Sequence, residues 1–140
     1  MNVVCPHCGQ TNAIPQKESY AKANCGHCKK SLLETKPLEL TTANFDNHLV
    51  NNDILVIVDF WAPWCGPCKM MGPAFEKAAT HFALKARFAK LNTENEQQLA
   101  ARFNIRSIPT LIAFKGNMEI DRVSGALSEQ QLIDWVTSKL

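Results

Sequence analysis

A chain of 140 residues, 46% hydrophobic and 20% charged, suits one ordinary core with at most a small appendage. Its net charge of +2 is too slight to mark a nucleic-acid or anionic-membrane ligand. No apolar run approaches membrane-span length, and Met1–Val4 carry no basic lead into an apolar stretch, so a cytoplasmic protein without a membrane anchor is the expectation.

Residues 1–36 read differently from the remainder, 37–140. They hold few large apolar residues and show no sustained period, so a segment this short needs a staple to fold. Cys5-Pro6-His7-Cys8 and Cys25-Gly26-His27-Cys28 supply one, with sixteen residues between the pairs. That spacing fits a four-thiolate zinc site built from Cys5, Cys8, Cys25 and Cys28, with one Zn²⁺ per chain. Gly9 and Gly26 suit the tight turns of two such knuckles. His7 and His27 are alternative ligands, but four thiolates already fill a tetrahedron. Lys17, Lys22, Lys29, Lys30 and Lys36 outnumber Glu18 and Glu34, and they read as partial neutralisation of an anionic metal centre. Tyr20 is the only aromatic residue here, too few for a nucleic-acid surface.

From residue 35 to 40 a linker runs into a first strand. Thr42 is placed to cap a helix over 43–51, with Phe45 and Leu49 at helical spacing. Ile54 to Val58 is continuously apolar, which predicts a central strand covered on both faces. Lys69 to Ala83 reads as a helix that Pro73 should kink. Arg87 to Leu91 predicts a second central strand, and Glu94 to Phe103 a helix. Thr110–Phe114 and Met118–Val123 read as strands joined at Lys115-Gly116-Asn117. Ser128 with Gln131 gives a capping-box pattern for a last helix bearing Leu132, Trp135 and Val136. Strands separated by helices argue for an α/β fold with a parallel sheet centre, to which the hairpin adds an antiparallel edge.

The third cysteine pair stands between a predicted strand and a predicted helix, in Trp64-Cys65-Gly66-Pro67-Cys68. At a helix start, unpaired N–H groups and the helix dipole stabilise a thiolate. Pro67 lacks an N–H that would have had no helical partner, and Gly66 leaves the first sulfur open. Cys65 and Cys68 share a helix face within bridging reach, which points to a dithiol cycling to a disulfide. Cys65 is the expected nucleophile and the exposed sulfur; Cys68, one turn inside, is the resolving thiol. Asp59 ends the apolar run where burial is costly, so it reads either as a general base with a raised pKa or as a cap on the following loop.

The segment Val58-Asp59-Phe60-Trp61-Ala62-Pro63-Trp64-Cys65-Gly66-Pro67-Cys68-Lys69 resembles the active-site segment of the thioredoxin family, and the resemblance covers residues 37–140. With the two knuckles, the chain is similar to the thioredoxin 2 subgroup. The resemblance implies a mixed central sheet flanked by helices, with a small zinc-ribbon-like module at the N-terminus. It implies that Asp59 takes the Cys68 proton, that Lys90 tunes Asp59, and that Ile108-Pro109-Thr110 is the loop whose cis-proline faces the dithiol. It further implies an apolar substrate patch of Trp64, Gly66, Pro67, Ile108, Pro109 and Gly125; Trp61 is assigned to packing beside the site and Trp135 to core.

The activity implied is reduction of protein disulfides by a monomer. The Gly66-Pro67 dipeptide resembles the reducing members of the family. Lacking a dinucleotide fingerprint, the chain would bind no organic cofactor and would take electrons from NADPH through a separate thioredoxin reductase. An adaptor that only docks partners is the competing reading, weakened because both active-site cysteines are present. A sensor in which oxidation of the first four cysteines ejects metal is compatible with the reductase.

Overall fold

A computed structural model describes residues 1–140. In the N-terminal module, β1 (Asn2–Val4) and β2 (Thr11–Ala13) form an antiparallel hairpin. The remaining strands are β3 (Leu38–Glu39), β4 (Leu55–Trp61), β5 (Ala86–Asn92), β6 (Thr110–Lys115) and β7 (Met118–Ser124). They make one sheet in the order β3-β5-β4-β6-β7, parallel across β3, β5 and β4, antiparallel across β4, β6 and β7. The helices are α1 (Phe45–Val50), α2 (Gly66–Ala79), α3 (Gln97–Arg102) and α4 (Glu129–Thr137).

Period-two alternation sorts β4 between two cores. Leu55 and Ile57 pack under α2 and α4, against Met71, Phe75, Leu132 and Val136. Val56, Val58 and Phe60 face the other way, onto Phe45, Leu49 and Leu99 of α1 and α3. Both faces of β4 are therefore covered, as its unbroken apolar run requires. The same alternation turns Asp59 to the α2 face, in register with Lys90 of β5.

Several boundaries differ from the sequence reading. α1 starts at Phe45 because Asn44 accepts from the Thr41 N–H (2.7 Å), closing a turn, while the Thr42 hydroxyl bonds Glu96 instead of capping. α3 starts at Gln97 because the Asn92 side chain accepts from the N–H groups of Glu94 and Asn95, holding those residues in an Asx turn. α2 runs through Pro73 and stops at Ala79, where Thr80 donates both its N–H (3.2 Å) and its hydroxyl (2.6 Å) to Lys77 O and tightens the last turn. The hairpin turn of β6 and β7 places Gly116 (φ +59) and Asn117 (φ +63) in the left-handed region, the pattern of a type I′ turn. Trp135 is half-buried rather than core, with the Lys139 ammonium 5.3 Å from its ring.

The module docks on the sheet at the N-terminal end of β4. Val3, Cys5, Cys25 and Leu32 share an apolar cluster with Ile54 and Leu84. Asn52 Oδ1 accepts from Val4 N (2.8 Å), Asp53 N donates to Asn2 O (2.8 Å), and Asn47 Nδ2 donates to Gly9 O (2.9 Å). Cys65 lies beyond the opposite end of β4, a strand about 20 Å long. The module is thus remote from the dithiol.

Candidate redox centre and metal centre

Cys65 is the N-cap of α2, at φ −84 and ψ 113, and its Sγ accepts from the Cys68 N–H at 3.2 Å. Gly66 and Pro67 fill the first helical positions, so the helix opens where Pro67 forgoes no bond. The two cysteines are joined as a disulfide. Cys65 Sγ lies 3.8 Å from the Ile108 carbonyl, and the Ile108-Pro109 peptide bond is cis.

Contrary to expectation, Cys65 is not exposed in this disulfide form: it is 4% accessible, against 2% for Cys68. Both cysteines cluster with Ala62, and Trp61 and Ile108 pack against that cluster. Exposure belongs to the rim, where Trp64 is 67% accessible and Gly66 and Pro67 are open. Gly125, at φ +98, donates its N–H to the Pro109 carbonyl (2.9 Å), joining the end of β7 to the loop beside the dithiol.

Sequence reasoning missed the supports of that loop. The Thr110 hydroxyl donates to Ser107 O at 2.6 Å and stands 3.0 Å from Ser124 Oγ. Thr93 donates both its N–H and its hydroxyl to the Trp61 carbonyl, pinning the end of β4. Thr93 sits in no motif, and Thr110, though it ends the Ile108-Pro109-Thr110 motif, carries no expected role of its own; only the sheet brings them to the site.

Asp59 is fully buried, and neither carboxylate oxygen has a hydrogen-bond partner. Burial raises its pKa from 3.8 to about 7, and the Lys90 charge opposes that rise. Lys90 extends under α2, its ammonium 4.5 Å from the Trp61 ring centroid. The ammonium passes beneath Gly72, where even an added Cβ would meet it only in ordinary contact, at 3.9 Å. Asp59 and Lys90 thus sit side by side beneath the helix that carries both cysteines.

At the far pole, Cys5, Cys8, Cys25 and Cys28 bring four Sγ atoms within 4.8 Å of one another. Cys5–Cys28 and Cys8–Cys25 are each separated by 3.7 Å. Sulfurs about 2.3 Å from a tetrahedral Zn²⁺ stand about 3.8 Å apart, so the cluster matches zinc. Burial pushes the Cys5 thiol up to about 12, a cost that a bound cation would offset. His7 and His27 stay outside, both exposed, and donate backbone N–H groups to Cys5 and Cys25 at 3.4 Å.

The two knuckles repeat one pattern: Gly9 N donates to Cys5 O and Lys29 N to Cys25 O, both at 3.0 Å. The left-handed position of the second knuckle is held by Lys29 (φ +68), matching Gly9 (φ +81), and not by Gly26. Gly26 instead donates to Asn12 Oδ1, while Asn12 Nδ2 lies 3.5 Å from Cys25 Sγ. Asn12, on β2, was not legible as a metal-site residue because no ligand motif contains it.

A family model for thioredoxin matches residues 36–138, and a zinc-ribbon model described as "Thioredoxin 2, N-terminal" matches residues 4–30. The chain belongs to the thioredoxin family. It is a thiol–disulfide oxidoreductase of the protein-disulfide-reductase type, with Cys65 and Cys68 as its disulfide-capable pair. Thioredoxin C-3 of Corynebacterium nephridii is 43% identical over all of this chain and 96% of its own length. Thioredoxin of Haemophilus influenzae is 40% identical over 74% of this chain and 96% of its own. Among solved structures, a Malassezia sympodialis thioredoxin superposes with a TM-score of 0.65 at 37% identity, covering 71% of this chain and 87% of that one. A mutant thioredoxin from Halobacterium salinarum gives 0.68 at 33%, covering 74% and 90%. The thioredoxin fold expected from the active-site segment is thus the fold observed. No helix is long and apolar enough to cross a membrane.

Proposed function

We propose that residues 37–140 reduce protein disulfides through Cys65 and Cys68, while residues 1–36 hold a structural Zn²⁺ on Cys5, Cys8, Cys25 and Cys28. The Cys65 thiolate attacks a substrate disulfide and forms a mixed disulfide, releasing one substrate thiolate. Cys68 then gives its proton to Asp59 and attacks Cys65 Sγ. The second substrate thiolate leaves, and the Cys65–Cys68 disulfide forms. Two electrons from NADPH, delivered by a thioredoxin reductase, restore the dithiol. One observation carries this reading: Cys65 Sγ caps α2 and accepts the Cys68 N–H, the contact that would stabilise a thiolate there.

Asp59 suits the proton step because its pKa of about 7 lets it exchange a proton near neutrality. Lys90 keeps that value from rising further. Trp64, Gly66, Pro67, Ile108, Pro109 and Gly125 form the surface for an extended substrate segment, supported by the exposure of Trp64 and the nearness of Ile108 O to Cys65. Zinc-bound thiolates persist under reducing conditions, which supports a cytoplasmic setting. The test is insulin-disulfide reduction driven by NADPH and a thioredoxin reductase. Wild type should turn over, Cys65→Ser should not, and activity surviving in Cys65→Ser would refute the assignment.

A further inference from the structure

Arg87 is 3% exposed where the module meets the sheet, and no carboxylate hydrogen-bonds it. Alternation along β5 sends it away from α2, to the face shared by Ala89 and Leu91. Its Nη1 donates to Glu34 O at 2.8 Å and its Nη2 to Leu32 O at 3.5 Å, both on the module, while Nε has no partner. His48 of α1, equally buried and with Nδ1 unpaired, offers no counter-charge. Burial first, then the Arg87 charge, holds its pKa down at about 4.

A buried cation bonded only to carbonyls is costly unless negative charge lies within reach. Two groups can supply it, the half-buried carboxylate of Glu34 and the Cys5 sulfur once that is a zinc-bound thiolate. Cys5 and Leu32, whose carbonyl Arg87 bonds, belong to one buried apolar cluster where the module meets the sheet. Four thiolates around one Zn²⁺ carry a net charge of about −2, and low polarity strengthens its attraction for a cation.

We propose that Arg87 is the counter-cation of the zinc–thiolate cluster and couples metal binding to docking of the N-terminal module. The proposal rests on the zinc reading of the four cysteines, which the zinc content of wild-type protein tests separately. Coupling is reciprocal: if the loaded cluster favours the docked module through Arg87, docking favours zinc by the same factor. The residue acts through the ligands without touching metal, as outer-shell groups do.

The experiment compares Arg87→Met, which keeps the stem and removes the charge, with Arg87→Lys, which keeps a charge. Zinc affinity is read by chelator competition on the reduced full chain. Arg87→Met should weaken zinc by about 10–100-fold, the usual span for losing an outer-shell partner. Arg87→Lys, which keeps a cation but loses the forked pair of donors, should weaken zinc clearly less than Arg87→Met does. Insulin reduction should be unchanged in both, because the dithiol lies at the other end of β4. Unchanged zinc affinity in Arg87→Met would overturn the proposal, and equal losses in both variants would overturn it by assigning the effect to packing. Should Arg87→Met not fold, hydrogen exchange on wild type decides. Removing zinc should speed exchange at residues 31–36 and 84–88, and an unaltered pattern there contradicts the coupling.

Discussion

A carboxylate buried without a single partner, as Asp59 is, makes folding less favourable wherever it is ionised. Its folded pKa of about 7 stands above its unfolded value of 3.8. Linkage then fixes the sign: below 3.8 the group is protonated in both states and adds no pH-dependent cost. Between 3.8 and about 7 the unfolded state loses its proton first, and stability falls as pH rises. Above about 7 the deficit levels off, at up to about 4 kcal/mol. Asp59→Asn removes that dependence. Urea titrations should find the variant close to wild type at pH 4 and more stable by up to about 4 kcal/mol at pH 8. The same change should slow resolution of the mixed disulfide more than the first attack, in single-turnover reduction. A variant less stable at pH 8, with kinetics intact, would make Asp59 a scaffold residue.

Among the elements, those with long periodic patterns were legible and short ones were not. β4 announced itself by an apolar run, and α4 by Ser128 and Gln131, whose capping box is formed in both directions. Ser128→Ala should therefore cost about 0.5–2 kcal/mol in a denaturant titration while leaving disulfide reduction unchanged. α1 and α3 begin later than their apolar spacing suggests because Asn44 and Asn92 bind neighbouring backbone and hold it non-helical. The β1–β2 hairpin escaped notice because strands of three residues carry no period. In the site, Cys65, Cys68 and Asp59 stood out because each breaks its local pattern. Thr93, Thr110, Asn12 and Arg87 did not, since their roles arise from strand register and docking.

At the scale of the whole molecule, the module is built into the fold rather than appended to it. Leu32, fully buried, packs with Ile54 and Leu84 and turns its carbonyl toward Arg87. Leu32→Ala should cost about 2–5 kcal/mol in global stability, read as one cooperative transition. Two separate transitions would mean that the module and sheet fold independently. The metal follows the same division of labour: Cys5→Ser should sharply lower zinc content in metal analysis, whereas His7→Ala and His27→Ala should each retain about one Zn²⁺ per chain. Zinc that survives replacement of both Cys5 and Cys8 would contradict a four-thiolate site.

In the proposed cycle the two sulfurs divide the roles, with Cys65 attacking and Cys68 resolving. Intact mass spectrometry after mixing single-cysteine variants with a disulfide-containing protein tests it directly. Cys68→Ser should accumulate a covalent adduct with the substrate, released by a small thiol, because no resolving sulfur is left beside Cys65. Zinc-loaded Cys65→Ser should form none at the dithiol, because Cys68 lies inside the first turn of α2 and lacks the N-cap position that stabilises a thiolate. An adduct on Cys65→Ser, or normal turnover by Cys68→Ser, would contradict the account.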